Sequence, residues 1–204
     1  MVIVVIPAYN EEKTIKEVVR EVKKEADEVI VVDDGSKDKT LMLARHEGAI
    51  VLRHVINRGQ GAALQTGNRY ALCRGADIIV HFDADGQHKA EDIRKLVKPI
   101  MNNECDAVLG SKFLGDTSYI PFTKKFFILK PAIILNRLLT GLKLTDVHNG
   151  LRAMSRHAAK KIMITQDKMA HNTEIPAEIK RNKLRWREVA VEFVYNEYGQ
   201  GLGG

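Results

Sequence analysis

Short runs of β-type residues alternate with helix-periodic segments along the first half of this chain. That alternation limits the fold more than any other feature. Val2–Ile6 is a continuous apolar run, as expected of a strand covered on both faces. Further strands are expected over Glu28–Val32, Ala49–Leu52, Asp77–Phe82 and Ala107–Gly110, and 185–194 alternates loosely as a late strand around Trp186. Ile15, Val18, Val19 and Val22 follow the i, i+3, i+4, i+7 spacing of an amphipathic helix, with Asn10 as its expected cap. Residues 38–47, with Leu41, Met42 and Ala44 as apolar positions, then Gly61–Arg74 and Glu91–Met101, supply the other helices. This order implies an α/β fold with a mainly parallel central sheet flanked by helices.

The 204 residues suffice for one domain with a sizeable core, and 45% hydrophobic with 28% charged residues is ordinary for a globular protein. The net charge of +6 suits an anionic partner without identifying it. Aromatic residues are only 6% and do not interleave with basic ones, so nucleic acid is not the expected partner. Cys73 and Cys105 have neither disulfide-frame nor zinc-site spacing. The start, MVIVVIPAYNEE, lacks the basic flank and length of a signal peptide and reads as a first strand.

Ligands of such sheets bind outside the carboxyl ends of the strands. Those ends carry the unusual residues here: Pro7-Ala8-Tyr9-Asn10-Glu11, Asp33-Asp34-Gly35-Ser36, Asn57-Arg58-Gly59-Gln60-Gly61 and Asp83-Ala84-Asp85-Gly86-Gln87. Turn and cap chemistry explains any one of them; four at one edge point to a site. Asp83 and Asp85 close an apolar strand, where a carboxylate is costly without a partner. In an extended segment alternate side chains point the same way, so Asp83, Asp85 and Gln87 are expected to converge on one hard cation, Mg²⁺ or Mn²⁺. An acid after the second strand, Asp33 or Asp34, can accept bonds from a ribose or a base. No GxGxxG follows the first strand and no GxxxxGK[ST] occurs in the sequence, which disfavours nicotinamide and P-loop readings.

PAYNEE at 7–12, VVDDGSKDKT at 31–40, NRGQGAA at 57–63 and FDADGQH at 82–88 resemble, in letters, order and spacing, the family 2 glycosyltransferases with the GT-A fold. GSKF at 110–113, the Ile120-Pro121 pair and TDVHNGLRA at 145–153 are similar to the polyprenyl-phosphate branch, which includes dolichyl-phosphate mannose synthase. The resemblance runs to about residue 198. It implies one glycosyltransferase domain over 1–204, with a Rossmann-like nucleotide-sugar-binding half at 1–115, an acceptor half at 116–198 and a mobile tail at 199–204. Pro7, Ala8, Tyr9 and Glu11 would border the nucleoside, with Asp34 on the base or ribose, Asp33 close by, and Arg58 and Gly59 near the nucleotide. Asp83, Asp85 and Gln87 would hold the metal. Lys112 replaces the branch's phosphate-binding arginine, keeping charge but not the two-pronged geometry. Asp146 and Arg152 would lie near the acceptor, and Asn149 replaces the branch's hydroxyl residue.

The resemblance implies inverting, metal-dependent transfer of a hexose from a UDP- or GDP-linked sugar to a polyprenyl (dolichyl or undecaprenyl) phosphate, with Asp85, Asp146 and Arg152 as catalytic residues. A phosphate acceptor, with a second pKa of ~6, is already an anion and needs no strong base. Arg152, Lys112 and Lys124 or Lys125 would hold it. A saccharide hydroxyl acceptor would need a base, for which Asp146 and Glu174 are the candidates, although Glu174 also reads as a helix-start acid. A nucleotide-sugar-binding protein without turnover is the third reading.

Residues 119–144 are densely apolar but interrupted by Lys124, Lys125, Lys130, Arg137 and Lys143. The longest uncharged run, Pro131–Asn136, is far short of the ~20 residues of a membrane span. A basic apolar segment can instead lie in a membrane interface or pack beside the site. The expected location is therefore cytoplasmic, at the inner face of the cell membrane, as a peripheral protein or with a separate membrane partner. Flotation with anionic vesicles should weaken when Lys124 and Lys125 become Glu; a wild-type chain that does not float at all would remove the interfacial reading.

Overall fold

The computed structural model describes residues 1–114, 141–146 and 149–194. The basic apolar segment up to residue 140, with Lys124 and Lys125, and likewise His148 and the tail from 195 onward, lie outside the described residues. Seven strands, β1 (Val2–Ala8), β2 (Glu28–Asp33), β3 (Ile50–Arg53), β4 (Ile78–His81), β5 (Ala107–Ser111), β6 (Arg152–Ser155) and β7 (Trp186–Ala190), form one sheet in the order β3-β2-β1-β4-β6-β5-β7. β6 runs antiparallel to β4 and β5, and the other pairings are parallel. The mainly parallel α/β expectation therefore holds.

The continuous apolar character of β1 follows from its position inside the sheet. Val4 and Ile6 pack on one face among residues of α1 (Ile15–Val22) and α4 (Asp92–Met101), with Ala44 of α2 (Thr40–His46). Ile3 and Val5 pack on the other among residues of α3 (Gln60–Cys73), α5 (Arg156–Lys161) and α6 (His171–Arg181). All four β1 side chains are fully buried. In α1 the predicted positions Ile15, Val18, Val19 and Val22 are the buried ones. Helix α3 sits unusually close to the sheet, because a Cβ on Gly67 would lie 2.2 Å from Val5 Cγ1.

The sequence expectations need three corrections. Asn10 does not cap α1: it has φ 58°, and its Oδ1 accepts a bond from Lys37 N at 2.9 Å, tying the β1 loop to the β2 loop. Met42 is 61% exposed, since α2 buries Thr40 and Ala44 instead. Strand β6 begins inside the 145–153 motif and is not among the expected strands; four residues are too few for alternation to declare itself. No helix among the described residues is long and apolar enough to cross a membrane.

Replacing Gly67 with Ala forces α3 away from Val5. Overpacking of this kind costs ~1–3 kcal/mol, so the variant should unfold several degrees lower in a calorimetric scan; an unchanged midpoint would mean that α3 can shift freely.

Candidate active site

The carboxyl ends of β1, β2, β4 and β5 and the start of α3 surround a cavity of about 460 Å³. Pro7, Ala8, Tyr9 and Glu11 supply the β1 wall, and Asp34, Asn57 and Gly59 the next. Asp83, Asp85 and Gln87 come from the loop after β4, and Lys112 from the end of β5. Ten of the sequence-predicted residues thus meet in one space. Asp33, Arg58, Asp146 and Arg152 do not line it.

The Asp83–Gln87 segment is not extended, as the alternation argument required. It is a turn, with Gly86 at φ 73° and Gln87 N donating to Asp85 Oδ1 at 2.9 Å. This local bond outcompetes extension, and the turn itself brings the three side chains to the cavity. Asp83 is held from several sides. Gln60 Nε2 donates to its Oδ1 at 2.8 Å, and His88 Nε2 lies 3.5 Å from Oδ2. Gly150 lies so close that a Cβ there would fall 2.0 Å from Oδ2. Burial favours the neutral acid, but the bond and charge of His88, with the charges of Arg152 and His171, outweigh it and hold the Asp83 pKa below the ordinary value. Asp85 goes the other way: burial, with the Asp83 charge, raises its pKa despite the Gln87 amide. Glu11 is also raised, by burial first and then by the charges of Asp85, Asp38 and Asp83, against a bond from Thr14.

Three acids, Glu11, Asp83 and Asp85, thus line one cavity, which fits a cation. Among the described residues, no group of three His, Cys, Asp or Glu could hold a metal ion alone. The donor set is oxygen-only: Asp85 and Gln87 line the cavity, while both oxygens of Asp83 also face protein partners. That arrangement suits Mg²⁺ or Mn²⁺, which bind through one or two carboxylates while keeping waters and substrate phosphates.

Asp34 is only 3% exposed. Its Oδ2 accepts from Gly59 N at 2.6 Å, and Oδ1 from Arg58 N at 3.0 Å and from His54 Nδ1 at 2.6 Å. It therefore shapes the wall by holding the Arg58–Gly59 backbone. Asp33 is fully buried, accepting from Ser36 N at 3.1 Å with Arg53 Nε 3.3 Å away. The Arg58 side chain turns outward to Asp167 at 3.5 Å. Asp146 is buried and accepts from Lys112 N and Asn149 Nδ2, both at 3.3 Å, linking the β5 end to the Asn149–Gly150 wall. Glu174 accepts from Thr165 N and Gln166 N, each at 3.0 Å, as the structural reading of this helix-start acid had it. Lys112 Nζ lies 4.8 Å from the Phe193 ring centroid and 5.3 Å from that of Phe113, a cation–π setting that keeps the ammonium at the cavity.

Arg152 is 2% exposed, and burial lowers its pKa to about 10 against the charges of Asp83 and Asp146. Its guanidinium lies behind the wall, not in the cavity where an acceptor phosphate would sit. Sequence reasoning missed the wall residues Gln60, Gly150, Met169 and Phe193 as site members, and the supporting pair His54 and Thr66, whose side chains meet at 2.9 Å. Gln60 and Gly150 stood inside the quoted motifs; Met169 and Phe193 carry no sequence signal of their own.

The sequence model for "Glycosyl transferase family 2" matches residues 3–163. An uncharacterized protein of Methanocaldococcus jannaschii is 40% identical, over 99% of this chain and 85% of its own length. A UDP-N-acetylglucosamine–dolichyl-phosphate N-acetylglucosaminyltransferase of Methanococcus voltae is 37% identical, over 100% of this chain and 89% of its own. Among solved structures, glucosyl-3-phosphoglycerate synthase of Mycobacterium tuberculosis, in complex with Mg²⁺ and uridine diphosphate, superposes with a TM-score of 0.74 at 22% identity, covering 97% of this chain and 72% of that one. That likeness shows the fold.

Replacing Gly150 with Ala puts a methyl group into Asp83. The variant should remain folded in circular dichroism yet lose most transferase activity; wild-type activity would mean that the wall yields without moving Asp83.

Proposed function

This chain belongs to glycosyl transferase family 2, and from that premise we propose that it transfers a hexose-type sugar from a nucleoside-diphosphate donor to a polyprenyl phosphate, inverting the anomeric centre. The observation that carries the reading is the single cavity faced by Asp83, Asp85, Gln87 and Lys112. The acids and the lysine suit a donor diphosphate with its cation on one side and an anionic acceptor on the other. The Methanococcus relative's name specifies a UDP-linked donor and dolichyl phosphate, which makes uridine the first nucleoside to test.

The β1 loop and the Asp34-held Arg58–Gly59 backbone border the nucleoside. Asp85, with Gln87 and Asp83, would hold Mg²⁺ or Mn²⁺, which when bound neutralises charge growing on the departing diphosphate. Lys112 attracts the acceptor phosphate, which attacks as an anion from the opposite side of the sugar. The position of the general-base candidates favours this acceptor over a saccharide hydroxyl: Asp146 and Glu174 both accept backbone amides and neither lines the cavity. The protein would act at the cytoplasmic face of the membrane, where such a lipid presents its phosphate.

Asp85→Ala should abolish the Mn²⁺-dependent part of UDP binding in calorimetry; unchanged affinity would refute the metal role. With radiolabelled UDP-sugars and polyprenyl phosphate in vesicles, label should enter an organic-extractable, mild-acid-labile product. Label found only in water-soluble glycan would replace the lipid acceptor with a hydroxyl.

A further inference from the structure

Arg152 belongs to neither the cavity nor the apolar core, and its bonds say what it is attached to. Its Nη2 donates to the Asn149 carbonyl oxygen at 2.8 Å and to Asn172 Oδ1 at 2.6 Å. Asn172, 3% exposed, stands in the first turn of α6. Arg152 opens β6 directly opposite His81, the last residue of β4, and the acid turn begins just beyond it. The Asn149 carbonyl precedes Gly150, which packs so closely on Asp83 that a Cβ would not fit between them. The bonds thus run from helix α6 through the guanidinium to the wall on which Asp83 rests.

The electrostatics argue that this arrangement is not filler. No carboxylate lies within ion-pair distance of the guanidinium among the described residues, and its Nε and Nη1 are buried without a partner. An apolar side chain of similar volume would serve packing alone better than such a charge. The charges it faces are Asp83 and Asp146, the acids on either side of the Asn149–Gly150 wall.

We infer that Arg152 and Asn172 form a buried positioning pair that fixes the Asn149–Gly150 wall against Asp83, and so sets the geometry in which the acid turn receives the donor's cation. The inference rests on the proposed metal-dependent donor binding. It removes Arg152 from direct contact with acceptor and assigns Asn172 a role that no motif suggested. Because Gly150 has no clearance to Asp83, loosening either member of the pair lets the wall, and with it the carboxylate, shift.

Calorimetry of UDP binding with and without Mn²⁺ tests it, on wild type, Arg152→Met, Arg152→Lys and Asn172→Leu, each checked for folding by its thermal midpoint. Supports of metal-binding groups change affinity by about 10–100-fold, so Arg152→Met and Asn172→Leu should weaken UDP binding in Mn²⁺ by at least about tenfold. Binding without Mn²⁺ should stay unchanged, and Arg152→Lys, which keeps charge and one donor, should fall between. Asn172→Leu keeps the arginine, so it reads the pair even if Arg152→Met fails to fold. Folded variants that keep wild-type Mn²⁺ enhancement, or lose affinity equally with and without Mn²⁺, overturn the positioning role while leaving the transferase reading intact. A wild type with no Mn²⁺ enhancement overturns the metal reading first and this inference with it.

Discussion

Carboxylates crowded at a half-dry sheet edge must be neutralised, and the arrangement of this site follows from how that is done. Asp83 is stabilised from within the protein, by a bond from Gln60 and the charges of His88 and the more distant Arg152. Asp85 faces the cavity, and burial with the Asp83 charge raises its pKa. One acid is therefore built into the wall, and its neighbour is left open toward the cavity. An asymmetric pair of this kind has an ionised anchor that stays put and a second oxygen donor free to accept an incoming cation with its phosphates.

The same division separates residues that face the ligand from residues that place them. Asp34, Asp146 and Glu188 each accept backbone amides of a neighbouring loop: Asp34 from Arg58 and Gly59, Asp146 from Lys112, Glu188 from Thr145 and Asp146. Burial raises the Glu188 pKa although these bonds oppose it. Acids in such positions stiffen loops that would otherwise leave backbone donors unpaired. Loops carrying the cavity residues are thereby tied to one another through their backbone amides.

Much of this was legible in the sequence. Apolar runs, the loose alternation around Trp186 and the 3.6-residue period located six strands and four helices, because those patterns report which side chains are buried. The strand-end motifs located most of the cavity, because in a parallel sheet the carboxyl ends of strands share an edge. What escaped depends on distance in the chain. Asn172 and Phe193 reach the site from segments with no motif, and whether Arg152 points into a cavity or behind it cannot be read from a linear spacing. Met42 and Asn10 were misread because local pattern was applied where a tertiary contact decides: Asn10 spends its side chain on Lys37 N, far along the chain. Likewise, the Asp83–Gln87 turn comes from an amide bond that alternation does not anticipate.

The sheet order carries a consequence for how the molecule is assembled. β5 pairs only with β6 and β7, both made later in the chain, and β6 separates it from β4. While a ribosome is still extending the chain past β5, the strands in order β3-β2-β1-β4 can associate, but β5 has no neighbour to join and the β4 edge stays unpaired. Long-range pairing of this kind is slow and leaves strand edges open. The acid turn after β4 is among the earliest parts of the site to be synthesised, yet its floor arrives only when β6 intercalates. Donor-binding competence should therefore appear late in biosynthesis, all at once, and a nascent polypeptide stalled near residue 120 should be a client for chaperones rather than a smaller version of the enzyme.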